Sequence, residues 1–170
     1  KYFSDIRKEL LDDFTITTPL SIDDQKVFDD ITNETSVSLH VRRGDYVTNK
    51  SAAKFHGLKG IDYYKKGLEL IGSHTPSFKL FVFSDDIEWC KSQLSDIWDN
   101  IVFVDGKREG YMDMHLMKHC SHNIVANSSF SWWAAWLNQN ESKVIVAPKN
   151  WFNDAKTNTK DVVPKAWHRI

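Results

Sequence analysis

The stretch Ser36-Val37-Ser38-Leu39-His40-Val41-Arg42-Arg43-Gly44-Asp45 reads as a β-strand that runs directly into charge. Alternating apolar residues carry it to Val41, and two arginines, a glycine and a carboxylate follow. Four further runs rich in Val, Ile or Phe are strand candidates: Lys79 to Phe83, Ile101 to Val104, Asn123 to Ala126 and Lys143 to Ala147. Helical spacing fills the intervals, with Tyr64, Leu68 and Ile71 on one face of one helix and Met112, Leu116 and Cys120 on one face of another. Strands separated by helices predict βαβ units, and so an α/β domain with a Rossmann-like, mostly parallel sheet covered on both faces. Right-handed crossovers then bring every strand's C-terminal end to one edge, where ligands of open α/β sheets bind.

Residues 36–170 are therefore read as one α/β domain. Residues 1–35 differ, as a helical connecting segment: Asp5 to Phe14 has amphipathic spacing, Pro19 interrupts it, and Asp23 to Ile31 offers a second helix. The tail from Pro148 carries Trp151, Phe152 and Trp167 with little periodicity and is expected to wrap the domain as irregular structure.

Composition narrows the class. The 170 residues are 41% hydrophobic, enough for one domain with a sizeable core. Lys and Arg number 22 against 23 Asp and Glu, a net charge of -1 that gives no footprint for a nucleic-acid partner. Apolar runs such as Trp132 to Leu137 fall far short of the roughly 18 residues a membrane helix needs. The start Lys1-Tyr2-Phe3-Ser4-Asp5 does not read as a secretory signal, so Cys90 and Cys120 are expected as reduced thiols of a cytoplasmic protein. The sequons at Asn33, Asn127 and Asn140 then carry no meaning, and neither does the adhesion-like Arg43-Gly44-Asp45.

Three constellations sit at predicted strand ends. In His40-Val41-Arg42-Arg43-Gly44-Asp45-Tyr46 an arginine can grip phosphate oxygens through paired hydrogen bonds while Asp45 orients a guanidinium; a structural Arg-Asp pair at a turn is the alternative. In Phe81-Val82-Phe83-Ser84-Asp85-Asp86 a buried strand meets two carboxylates. Ser84 or Asp85 could serve as the N-cap of the next helix, and adjacent residues pointing opposite ways argue against a shared metal. In Asn127-Ser128-Ser129-Phe130-Ser131, hydroxyl residues open a helix whose exposed N–H groups suit an anion. Trp132, Trp133 and Trp136 are read as packing. His115, His119, Cys120 and His122 look metal-like, but no Glu follows the first His and Cys120 lies on another face, so they too are read as a packing helix.

Taken together these blocks resemble the bacterial α-1,2-fucosyltransferases of glycosyltransferase family 11. The resemblance runs from about Val37 to the C-terminus. It includes Ala53-Lys54-Phe55-His56-Gly57, Asp62-Tyr63-Tyr64, Ala147-Pro148-Lys149, Trp151-Phe152-Asn153 and Asn158-Thr159-Lys160-Asp161. It implies a two-lobed fold of the GT-B type, GDP-fucose as donor with no metal or other cofactor, inversion at the fucose carbon and transfer to the 2-hydroxyl of a galactose-terminated glycan. By the same resemblance Arg42 holds the β-phosphate and is the catalytic residue, His40 lines the nucleoside pocket, and Asp45 holds the arginine loop. Asp113 would read guanine, Ser128, Ser129 and the N–H of Phe130 would contact the phosphates, Asn127 would belong to the donor-binding set, and Asp85 and Asp86 would support the pocket.

Family members usually begin with a glycine-rich segment and a whole N-terminal lobe that helps bind acceptor, and nothing here resembles it. The chain thus resembles the C-terminal, donor-binding half. Related core-fucosylating enzymes carry a catalytic Glu where this chain has Lys50, so no general base is named. An isolated GDP-sugar-binding module without turnover, and a metal-dependent enzyme using Asp85 and Asp86, stand as the other readings. Peripheral association with the inner membrane surface is left open.

Overall fold

The computed structural model describes residues 3–154 and 156–170; residues 1, 2 and 155, and the side chains of Lys50 and Ala52, lie outside the description. Six strands form one parallel sheet: β1 (Ser36–Val41), β2 (Lys79–Ser84), β3 (Ile101–Phe103), β4 (His122–Ile124), β5 (Ile145–Ala147) and β6 (His168–Arg169). Their order is β3-β2-β1-β4-β5-β6, the doubly wound arrangement in which chain direction across the sheet reverses between β1 and β4.

The central strand explains its own sequence. All six residues of β1 are buried, and successive side chains face opposite ways. Val37, Leu39 and Val41 pack with Tyr64, Leu68 and Ile71 of α5 (Ile61–His74) and with Cys90 and Leu94 of α6 (Ile87–Leu94). Ser36, Ser38 and His40 are buried too, so they need partners. The Ser36 hydroxyl donates to Ile31 O at 2.8 Å, and Asn123 Nδ2 donates to Ser38 Oγ at 2.7 Å. The same amide also donates to Met117 O, while Asn138 Nδ2 donates to Asn123 Oδ1, joining β1, β4 and two helices.

Those helices, α7 (Gly110–His119) and α8 (Ser129–Leu137), cover the second face around Phe81, Phe83, Leu116, Met117 and Ala134. The N-terminal segment forms α1 (Arg7–Asp13) and α2 (Ile22–Asn33). Ser21 caps α2 by accepting the Asp24 N–H at 3.1 Å, and Ile31 of α2 is buried in the core with Leu116. Arg7 of α1 donates to Trp136 O and Asn138 O, and its guanidinium lies 4.5 Å from the Trp136 ring centre.

The structure differs from expectation in two places. The tail, expected as irregular, returns to the sheet as β6 beside β5, with Val146 opposite His168 and Ala147 opposite Arg169. Between β1 and α5 lie two short helices with no strong apolar period, α3 (Gly44–Thr48) and α4 (Lys50–His56). Among the described residues no helix is long and apolar enough to cross a membrane.

Candidate functional site

The reversal between β1 and β4 puts the loop after Val41 beside the turn after Ile124. In open α/β sheets this crevice is where ligands bind. Two of the three constellations read from the sequence leave the sheet here, and the third, after β2, closes one side.

Arg42 is held from two directions. Its Nε donates to Asp45 Oδ1 at 3.0 Å, its Nη2 lies 2.8 Å from the same oxygen, and its Nη1 lies 3.1 Å from Asp85 Oδ2. A guanidinium has five N–H donors, so two remain outside these contacts, and the side chain is 34% exposed. Arg43 turns the other way. It is 17% exposed, its Nε donates to Asp86 Oδ2 at 3.1 Å, and its guanidinium stacks 3.9 Å from the Trp89 ring centre. The two arginines thus divide: Arg42 stays open at the edge while Arg43 braces α6.

The carboxylates divide as well. Asp85 Oδ1 accepts the Arg43 backbone N–H at 2.8 Å, so this side chain grips the loop by both backbone and guanidinium. The cap of α6 is neither Ser84 nor Asp85, as the sequence suggested, but Asp86, which accepts the Trp89 N–H at 3.3 Å. Ser84 Oγ instead accepts the Asp86 N–H at 2.9 Å, which settles the turn before the helix.

Across the crevice, Ser128 occupies the N-cap position of α8 in an extended conformation, and no side chain caps that helix among the described residues. Its first-turn N–H groups and the positive end of its dipole therefore face the edge. Phe130 packs 5.5 Å, ring centre to ring centre, from His40. His40 is 4% exposed, and its Nδ1 is buried with no hydrogen-bond partner among the described residues. Burial pushes the imidazole down to about 4, so it stays neutral until well into the acid range. A buried polar atom without a partner beside an uncapped helix end suits a ligand carrying both an anion and a hydrogen-bonding base.

Asn127, expected among the donor-binding residues, is tied to the protein's own backbone. Its Nδ2 donates to His56 O at 2.7 Å, Gly57 O at 3.2 Å and Trp151 O at 3.1 Å, and its own carbonyl accepts the Tyr46 hydroxyl at 3.1 Å. The residue is a strut between four segments, which fixes where the Ser128-Ser129 turn begins.

Asp113 lies one turn into α7, whose first residue, Gly110, approaches the Phe130 ring. Arg108 Nη1 donates to Asp113 Oδ1 at 3.3 Å, and Arg108 Nε pairs with Asp24 Oδ1 of α2 at 2.8 Å. Burial raises the Asp113 carboxyl, and the Arg108 charge opposes that rise. The roles of Arg108 and Asp24 escaped sequence reading, because the two are 84 positions apart and neither stands in a motif. Tyr46 and His56 stood within quoted blocks, but nothing in their spacing announced that their rings stack at 4.6 Å.

Fold and edge together define a doubly wound α/β protein with a crevice at its switch point, lined by Arg42 and the start of α8. Residues 1–170 match the family described as glycosyl transferase family 11, and the chain belongs to that family. It is 39% identical to an alpha-1,2-colitosyltransferase of Escherichia coli over all of this chain and 59% of that protein. It is 41% identical to the O-antigen biosynthesis glycosyltransferase WbnK of Escherichia coli, over 79% of this chain and 44% of that protein. With the galactoside 2-alpha-L-fucosyltransferase SEC1 of Bos taurus it shares 27% identity, over 80% of this chain and 39% of that one. The chain therefore spans about half the length of the curated relatives it matches.

Proposed function

We propose that this chain is the donor-binding part of a galactoside α-1,2-fucosyltransferase, one lobe of a GT-B type enzyme, taking GDP-fucose as donor. The observation that carries the reading is the facing pair at the switch point, Arg42 and the start of α8, with two Arg42 N–H donors and the α8 N–H groups left without side-chain partners among the described residues, and with the buried His40 packed against Phe130. Inversion at the fucose carbon breaks its bond to the β-phosphate oxygen and leaves negative charge on GDP. Arg42 and the α8 N–H groups would meet that charge as it develops, already oriented by Asp45 and Asp85. Losing one such donor typically slows transfer about 10²–10³-fold. These groups supply the positive charge themselves, so the proposal uses neither a metal nor another cofactor. The acceptor would be the 2-hydroxyl of a galactose-terminated glycan.

A second reading, resting on the same crevice, is a GDP-sugar-binding module without turnover of its own. The colitosyl name of the Escherichia coli relative makes GDP-colitose the competing donor. Calorimetric titration with GDP, and with ADP and UDP as controls, in the presence of chelator tests the donor reading. Selective GDP binding that Arg42→Ala abolishes, with unchanged circular dichroism, supports it; equal binding of all three nucleotides overturns it. Transfer from GDP-fucose to a galactoside then separates the enzyme from the module, and comparison with GDP-colitose decides the donor sugar.

A further inference from the structure

The transfer needs a group to take the acceptor proton, and resting on the donor reading above, we infer that His56 is that general base. Each carboxylate near Arg42 is already engaged: Asp45 and Asp85 with Arg42, Asp86 with Arg43. His40 is enclosed, and its depressed basicity leaves it little drive to accept a proton at neutral pH.

His56 is held differently from His74, His119 and His122. His74 and His119 place Nδ1 on the carbonyl four residues earlier, and His122 uses both ring nitrogens, on Thr75 and Val144. The His56 ring lies flat on Tyr46, 4.6 Å away at an interplanar angle of 7°, with Phe55 at 5.0 Å and Phe152 at 5.4 Å around it. Its Nδ1, like those of His40 and His115, is buried and finds no hydrogen-bond partner among the described residues, so Nε2 is the nitrogen left to meet an acceptor hydroxyl. Rings rather than hydrogen bonds fix this imidazole, so its proton-carrying function is not spent on the fold.

Its position follows from two tethers. The Tyr46 ring on which it stacks also lies 5.9 Å from the Arg42 guanidinium carbon. Its backbone carbonyl accepts from Asn127, the residue that begins the Ser128-Ser129 turn. Tyr46 is thus the common neighbour of base and leaving-group clamp. In the step, the acceptor O–H bond breaks and its proton passes to the imidazole of His56. The oxygen forms its bond to C1 of fucose, and the bond from C1 to the phosphate oxygen breaks with its electron pair staying on GDP, held by Arg42. The imidazolium returns its proton to water.

Histidine-selective NMR on the full chain provides the test, with the His56 signal assigned by its absence in His56→Gln. With GDP saturating, millimolar methyl β-galactoside is expected to shift the His56 signal and leave that of His168 in place. In transfer assays His56→Gln and His56→Phe are each expected to lose about 10² to 10⁴-fold in rate with GDP affinity kept within twofold. Phe preserves the ring stack, so recovery of wild-type transfer in His56→Phe would mean a packing role and overturn the assignment. A His56 signal unmoved by galactoside while GDP is bound also overturns it. Failure of the chain to bind GDP at all sinks the donor reading, and the base falls with it.

Discussion

A Cβ placed on Gly44 would come within 2.5 Å of Asp85 Oδ2, the oxygen that faces the Arg42 guanidinium. The glycine of the arginine loop is therefore a matter of clearance: the carboxylate leans on bare backbone while its other oxygen holds the Arg43 N–H. Gly44→Ala is expected to displace Asp85, lower stability by about 1–3 kcal/mol and weaken GDP binding several-fold. Urea unfolding and GDP titration measure the two effects, and a variant unchanged in both would show that the carboxylate swings aside freely.

The division between the two arginines predicts opposite phenotypes. Arg43 is packed on Trp89 and paired with Asp86, so Arg43→Ala is expected to cost about 1–3 kcal/mol of stability and leave most GDP affinity intact. Arg42→Ala should do the reverse, with a thermal midpoint near wild type and GDP binding lost. Matching losses in both variants would mean that the loop acts as one structural unit.

Acid should loosen the fold partly through His40. The unfolded chain takes up this proton near 6.5, whereas the folded chain does not until about 4, so the unfolded state binds more protons across that window. Stability is full above 6.5 and falls as pH drops toward 4, by about 3 kcal/mol for a shift of this size. His115, also pushed down to about 4 by burial, acts in the same sense. Thermal melts from pH 7 to pH 4 should show a shallower decline for His40→Gln than for wild type, and parallel curves would remove His40 as a contributor.

Arg108 joins two carboxylates from different parts of the chain, and both it and Asp24 are about nine-tenths buried. Breaking such a pair strands a charge, so Arg108→Met is expected to cost about 3–5 kcal/mol. Adding Asp24→Leu should recover part of that loss, because the stranded carboxylate goes too. Urea midpoints of the single and double variants decide this, and a double variant no better than the single would mean that Asp113 carries the cost.

The sheet was legible because its strands are short, apolar and separated by helical periods. Ser36 to Val41 was read to the residue, and the four others shifted by one or two positions at one or both ends. β6 was missed for a physical reason: His168 and Arg169 are exposed, two residues long, and enter the sheet only because the tail returns beside β5. At the site, Arg42 and Asp45 were legible as a possible pair at a strand end, whereas the reach of Asp85 across to Arg42 was not, because it joins two different strand ends. The cap on α6 went to Asp86 because Asp85 was drawn across to the arginine loop, a competition settled in three dimensions. Asn127 was read into the donor-binding set as the head of a serine cluster; its amide donates to three carbonyls from distant segments, which no local pattern announced.

The contact between α2 and α7 reaches further than packing. Ile31 sits under Leu116, and Asp24 holds Arg108, which in turn holds Asp113. No residue of α2 need enter the crevice for a load on α2 to be felt there. The segment ahead of β1 is a handle on α7, and a tilt of that helix would retune the carboxylate at the far end of the linkage.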